Sequence, residues 1–434
     1  MKPLAIDLFC GAGGVSEGVL QAGYHIIYSS DINESVEETY KNRHEQLGYV
    51  QGINTFFRRG DIREIESSQI LEDLRSLEVY DSIIKDREID VIFGGPPCQG
   101  FSRAGRRDKD DPRNLLFKEY LRVINDIRPR YVVMENVMGF MDTRLDGFIG
   151  VKGEEYGMHK LMPDILMKEF ELIGYHTLQT QILDASDFGV PQRRKRAIFI
   201  AYKNGEKAPS YPAPSLQTKV TVGEAISDLS EGTDTGVSDY IRDSREGRTR
   251  DVFGNPVSAP SVLNNEKSTH SLAIVERFSI FKEGENAKDL FKRIQLEGLD
   301  LTAYPNLVNE ARAKIDNEIE LDFIMHNFKT GEISEDDFKL FFTKKMNRFR
   351  FNSKQIAPTV VTMPDDYISP YEDRIPTVRE MARLQSFDDS FAFLGKRTTG
   401  GLRRRVEVPQ YSQVGNAVPP LLARAIALEL KKYL

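Results

Sequence analysis

Two short segments hold side chains able to do covalent chemistry. The first is GGPPCQGFS, residues 94–102, where two glycines and two prolines set Cys98 on a stiff polar loop after an apolar run. A thiolate so placed, near a helix N-terminus, is favoured by the local positive potential and suits nucleophilic addition. Cys10, the other of the two cysteines, reads instead as a small core residue. The second segment is Met134-Glu135-Asn136-Val137, which puts a carboxyl group at the end of a buried strand. Neighbouring parallel strands would bring Glu135 close to Cys98. Such a pair fits addition to a heterocycle: the thiolate attacks an electron-poor carbon while the acid serves a ring nitrogen. Further on, Gln192-Arg193-Arg194-Lys195-Arg196 precedes another apolar strand, and alternation along an extended chain would aim Arg194 and Arg196 to one side.

Three other places read as a ligand pocket. Residues 7–14, DLFCGAGG, form a glycine turn after a strand, which permits close backbone approach to a nucleotide-like ligand. The glycines fall at 11, 13, 14 and 18, so the dinucleotide fingerprint G-x-G-x-x-G is not met. Asp31 closes a second strand, where a carboxylate can accept from ribose hydroxyls or cap the helix that follows. Asp61-Ile62 offers a carboxylate for an exocyclic amine beside an apolar side chain, although an ordinary turn explains it equally well.

These groups need elements to hold them. Residues 3–8, 25–29, 91–93, 131–134 and 197–201 read as short apolar strands, and residues 15–22 and 115–127 as helices between them. Strands alternating with helices mean a doubly wound, mostly parallel α/β sheet with ligands at the carboxyl ends of its strands. The pattern stops after Tyr202. Residues 204–215 carry Pro209, Pro212 and Pro214 and read as a linker. A polar, irregular stretch with helical pieces follows, one at 336–342 with a capping box from Ser334 to Asp337. Ordered patterning resumes at 378–384 and in a last helix at 420–434. The expected division is therefore residues 1–202, completed by 409–434, and a second, smaller domain at 203–408.

With 40% apolar and 29% charged residues, the chain can bury a sizeable core and suits a soluble globular protein. No apolar run approaches a membrane span, and the N-terminus already reads as strand and turn, so neither membrane nor signal peptide is expected. Two cysteines without metal-ligand spacing exclude a disulfide framework and give no metal site. The net charge of −7 does not by itself point to nucleic acid. The basic residues are clustered, however, at 103–109, 193–196, 344–350 and 403–405, and one basic cleft suffices for phosphate binding.

In order along nearly the whole chain, these segments resemble the motifs of the DNA cytosine-5 methyltransferases. Residues 7–14 resemble the cofactor glycine motif, Asp31 the ribose-binding acid, and Asp61-Ile62 the adenine-contacting pair. Pro96-Pro97-Cys98-Gln99 resembles the catalytic loop, Glu135-Asn136-Val137 the acid motif, and Gln192-x-Arg194-x-Arg196 the arginine motif. Arg379-Glu380-x-Ala382-Arg383-Leu384-Gln385 resembles the motif supporting the recognition domain, and Gln413-Val414-Gly415-Asn416-x-Val418-Pro419 the last motif.

The resemblance implies a Rossmann-like methyltransferase sheet with a target-recognition domain. It implies S-adenosyl-L-methionine at Phe9, Gly11, Ala12, Gly13, Asp31, Ile32, Asp61, Ile62, Pro96, Leu116, Asn416 and Val418. Cys98 would add to C6 of a cytosine extruded from double-stranded DNA. Glu135 would act at N3, Arg194 would contact the cytosine carbonyl, and Arg196 would hold Glu135. DNA is expected at Gln99, Ser102, Arg103 and Arg106, and at Arg348 and Arg350 within KKMNRFRF (344–351), a stretch that also fits a half-buried strand with Phe349 and Phe351 in a core. A cytoplasmic, nucleoid-associated monomer, the modification component beside a separately acting restriction endonuclease, is the implied setting. A transfer-RNA methyltransferase of the same fold and a non-catalytic DNA-binding regulator are the alternatives. The long insertion at 203–376 speaks against the first, and Cys98, Glu135 and Arg194 against the second. A nicotinamide oxidoreductase is a poor third, given the glycine spacing.

Overall fold

The computed structural model describes residues 1–97, 116–215, 218–231, 236–315, 317–399 and 407–434. Strands β1 (Leu4–Leu8), β2 (His25–Asp31), β3 (Phe56–Arg59), β4 (Val91–Gly94) and β5 (Tyr131–Asn136) run parallel in the order β3-β2-β1-β4-β5. Every residue of β1 and of β4 is buried. A strand covered on both faces needs apolar side chains throughout, which is why these read as continuous rather than alternating runs. After a small hairpin of β6 (Arg144–Leu145) and β7 (Lys160–Leu161), strands β8 (Tyr175–Thr177) and β9 (Gln181–Asp184) both pair with β10 (Lys195–Lys203). β10 lies antiparallel to β5, with Ile198 opposite Glu135. The beginning of β10 therefore stands at the edge where the parallel strands end. The expected doubly wound, mostly parallel sheet is present, and β3, β8 and β9 join the strands legible in the sequence.

Helices α1 (Gly14–Gln21), α2 (Glu34–Gln46), α3 (Ser67–Arg75), α4 (Leu116–Ile127) and α5 (Met162–Leu172) connect these strands. Ile70, Leu74, Leu121, Ile124, Leu166 and Phe170 from α3, α4 and α5 fill one apolar layer against the sheet. The chain leaves β1 toward β2 and β3, then returns to the other side of β1 for β4 and β5. The crevice at the carboxyl ends of β1 and β4 is thus a topological switch point, the usual place for a ligand in such sheets.

Residues 204–215 are irregular, as their prolines predict, yet tied down: the Tyr211 hydroxyl donates to the Ile198 carbonyl at 2.8 Å. Beyond them, residues 203–408 contain two cores. One joins α6 (Val222–Ile226) and α7 (Asp239–Glu246) to later elements. The other is helical, built by α8 (Leu272–Ser279), α9 (Ala287–Glu297), α10 (Pro305–Arg312), α11 (Glu318–Thr330) and α12 (Glu335–Phe341) around Phe278, Leu290, Ile294, Leu307, Phe328 and Phe338. α12 opens with the capping box read from Ser334 and Asp337. Next come strand β11 (Phe349–Arg350), which pairs with β12 (Tyr367–Ile368), and helices α13 (Val378–Leu384), α14 (Gln410–Asn416) and α15 (Pro420–Lys431). The first core includes Val378, Met381, Tyr411 and Val414 and also takes in Ala12 of the glycine turn. α15 returns to lie on α1, where Leu422, Ile426 and Leu430 close the second face of the sheet with Val19 and Leu20.

Candidate active site

The end of β1 turns sharply. Phe9, Gly11 and Gly13 all have left-handed backbone, at φ 58°, 53° and 98°. For Phe9 that conformation is strained, and such residues gather where a ligand or a reaction is held. A Cβ built on Gly11 meets no atom within 4 Å, so the turn faces open space. A Cβ on Gly14 would stand 2.2 Å from the Val418 carbonyl oxygen. The segment between α14 and α15 is therefore seated directly against the turn, with Asn416 exposed at the end of α14. Ala12 is 4% exposed within a core, which leaves its backbone, not its methyl group, for a ligand.

Asp31 stands across from the turn. One of its oxygens accepts from the Gly11 N–H and the other from the Asn33 N–H, both at 3.0 Å. Burial raises its carboxyl pKa, against which those N–H donors work. The cap of α2 is Asn33, whose side chain accepts from Ser35 and Val36, so Asp31 is free of that role. Ile32 is 64% exposed beside it, and its side chain is free to cover a flat ring. Asp61 is held in a fork by Arg63, which lowers its pKa. Ile62 and Leu116 are 5% and 9% exposed and pack in the core under α4.

Cys98, Gln99, Ser102, Arg103 and Arg106 lie outside the described residues. The approach to Cys98 is described as far as Pro97. Asn136 donates through Nδ2 to the buried Pro96 carbonyl at 3.2 Å, joining the loop after β4 to the end of β5. A Cβ on Gly95 would lie 3.3 Å from a Glu135 carboxylate oxygen. Glu135 therefore faces the beginning of the Cys98 loop. Its carboxylate receives Arg196 Nε at 2.5 Å, with both side chains only partly exposed. Cys10 is buried, and burial, then the nearby Asp7 and Asp31, raise its thiol pKa well above the ordinary value. That is the environment of an inert core thiol.

The two arginines of the motif part company. Arg194 is 3% exposed; its Nη1 donates to Val360 at 3.0 Å and its Nη2 to Gly415 at 2.9 Å. Burial, then the neighbouring Arg196, lower its pKa. So engaged, Arg194 is not presented to a cytosine carbonyl; it ties the last motif to the segment at 360. Gln192, not singled out as a site residue from sequence, works beside it. Its Nε2 donates to the Leu384 carbonyl and to Gln385, and its Oε1 accepts from Val360. Arg350 also departs from expectation. It is 9% exposed, paired with Asp373 at 2.7 Å and bonded to the Phe278 carbonyl at 3.1 Å. Arg348 lies over the Phe278 ring and donates to the Asp365 carbonyl at 2.9 Å. Phe351 is fully buried. Residues 348–351 therefore do not alternate between core and solvent: Phe349 is only partly buried, and both arginines are engaged in internal bonds.

The family model described as C-5 cytosine-specific DNA methylase matches residues 4–432. Type II methyltransferase M.DdeI of Desulfomicrobium norvegicum is 31% identical over 437 residues, covering 99% of this chain and 88% of that protein. Type II methyltransferase M1.HphI of Haemophilus parahaemolyticus is 31% identical over 425 residues, covering 97% and 85%. Among solved structures, a protein encoded within an E. coli prophage superposes with a TM-score of 0.64 at 22% identity, covering 100% and 99% of the two chains, a likeness of fold.

Proposed function

The chain belongs to the C-5 cytosine-specific DNA methylases and is a DNA cytosine-5 methyltransferase, and we propose that it works through a covalent adduct of Cys98 with a cytosine swung out of duplex DNA. A methyltransferase implies S-adenosylmethionine as donor, and the pocket residues suit it. The turn of Phe9, Gly11 and Gly13 opens onto free space at Gly11, the Asp31 carboxylate lies at its rim, and Ile32 is exposed beside it. Asn416 and Val418 complete that wall from the last motif. When bound, S-adenosylmethionine supplies an electrophilic methyl group on a sulfonium.

The observation that carries the catalytic proposal is the Glu135–Arg196 pair, standing over Gly95 at the approach to Cys98. Within a stacked duplex C6 cannot be reached, so the base must leave the helix. The Cys98 thiolate then adds to C6. Glu135 serves N3 by proton or hydrogen bond, which moves electron density onto C5, the carbon to be methylated. Loss of the C5 proton to a base drives elimination of Cys98 and restores the ring. Arg196 orients Glu135, and its guanidinium, unlike that of Arg194, is left at the edge to meet the cytosine carbonyl. The relatives' Type II names support the modification role of a restriction–modification system; in that role the endonuclease would act separately and this chain would work on cytoplasmic DNA as a monomer. Among the described residues no helix is long and apolar enough to cross a membrane.

The test is a duplex carrying 5-fluorocytosine at the target, which bisulfite sequencing of DNA from an expressing strain locates. Fluorine cannot leave as the C5 proton does, so a denaturation-resistant complex should form and map to Cys98. Cys98→Ser should abolish both this complex and methyl transfer while still binding cofactor. No trapped complex with the wild type, or one mapped to Cys10, would overturn the mechanism.

A further inference from the structure

Beneath the cofactor turn lies a hydrogen-bonded relay that the catalytic scheme does not use. Tyr40, on α2, is 2% exposed. Its hydroxyl meets Ser16 Oγ, on α1, at 2.7 Å and also Ser29 Oγ, on β2. Ser16 donates its one proton to Asp7 Oδ2 at 2.6 Å. Burial raises the Asp7 pKa to about 7; while that carboxyl is ionised, Tyr40 donates to Ser16 and Ser29 donates to Tyr40, so three hydroxyls point in turn toward it. Such a run is polarised, and each bond strengthens the next. Burial raises the Tyr40 pKa well above its ordinary value, which keeps the phenol a donor.

The ring of Tyr40 is as constrained as its hydroxyl. A Cβ on Gly13 would lie 3.1 Å from the ring, so the glycine turn rests on it. On other sides it stacks on His44 at 4.0 Å between centroids and leans on Phe57 at 5.0 Å. One side chain thus touches both arms of the pocket: the turn that ends at Gly13, and β2, which carries Asp31 two residues beyond Ser29. A second tie between these arms, from the Gly11 N–H to Asp31, uses an oxygen that a ribose hydroxyl would share. The tie through Tyr40 lies underneath, where Asp7, Ser16, Ser29 and Tyr40 are all buried.

Resting on the methyltransferase reading, we infer that Tyr40 is a positioning residue for the cofactor, fixing the separation of the glycine turn from Asp31 through its bridge between Ser16 and Ser29. Tyr40→Phe keeps the ring and its stacking but removes the bridge. One buried hydrogen-bonded link is worth about a tenfold change in an equilibrium. Binding of S-adenosylmethionine to the protein alone, followed by calorimetry, should weaken about tenfold. The KM for cofactor should rise in parallel, with kcat at saturation and affinity for duplex DNA unchanged. Ser16→Ala should weaken binding similarly, and the double variant should add little, because the bridge is broken once. Ile294→Val, in the remote helical core, controls for stability loss alone and should leave cofactor affinity intact. Unchanged affinity in Tyr40→Phe, a matching fall in kcat, or additive losses in the double variant would each overturn the inference. A wild type that fails to bind S-adenosylmethionine would instead refute the reading beneath it.

Discussion

Gly18→Ala sets two effects of opposite sign against each other. In mid-helix, alanine is favoured over glycine by about 1 kcal/mol, since it restricts the unfolded chain. At Gly18 that gain meets α15. A Cβ there would stand 2.2 Å from the Pro420 carbonyl oxygen, 2.6 Å from the Arg424 nitrogen and 2.7 Å from the Ala423 Cβ. The first two are backbone atoms, which no rotamer change can move. Restoring ordinary contact requires the first turn of α15 to retreat by about 1 Å, against the buried Leu422, Ile426 and Leu430 that hold it. Overpacking of this kind costs about 1–3 kcal/mol, so after the gain of about 1 kcal/mol the clash should win by up to about 2 kcal/mol. The retreat should also draw Val418 from its seat against Gly14 and weaken cofactor binding. Urea unfolding would measure the first effect and calorimetry with S-adenosylmethionine the second. Gly157→Ala is the control: its Cβ would meet nothing nearer than 4.0 Å, so stability should change by less than about 0.5 kcal/mol. If Gly18→Ala is as stable as the wild type and binds cofactor equally well, the close approach of α1 and α15 has been misjudged.

Arg350→Ala should destabilise the protein by about 1–2 kcal/mol, because the Phe278 carbonyl loses its donor while the partly exposed Asp373 regains water. Methylation of cognate and one-base-variant duplexes should keep its preference; relaxed preference would restore the DNA contact. For His44, burial lowers the imidazole pKa to about 4, against about 6.5 in an unfolded chain. Its contribution to stability is complete above the unfolded value and is lost as the pH falls from there through about 4, at up to about 1.4 kcal/mol per pH unit. His44→Phe, which keeps a ring against Tyr40, should therefore lose less stability than the wild type between pH 7 and pH 5 in parallel urea titrations. Equal losses would mean that His44 is not held neutral.

Much of the site was legible in the sequence because its parts are local. A strand that ends in glycines, a strand that ends in Glu135, and a loop stiffened by Pro96 and Pro97 each announce themselves within about ten residues. In a parallel sheet such ends must gather at one edge, so the Phe9 turn, Asp31 and Glu135 could be brought together without coordinates. What no local pattern decides is which surface a side chain meets after the chain returns. Arg194 and Arg196 are two residues apart and look alike in sequence. Yet Arg194 is buried by carbonyls 166 and 221 residues away, while Arg196 is left with Glu135. Arg350 was turned inward by Asp373 and the Phe278 carbonyl, and Ile62 and Leu116 were drawn into the core by the packing of α4. Tyr40 gave no signal, being one aromatic residue on a polar helix. Its hydroxyl acquires a function only when α1 and β2 fold against it. Residue type and spacing fixed which groups reach the carboxyl edge; long-range burial determined which of them remain free to react.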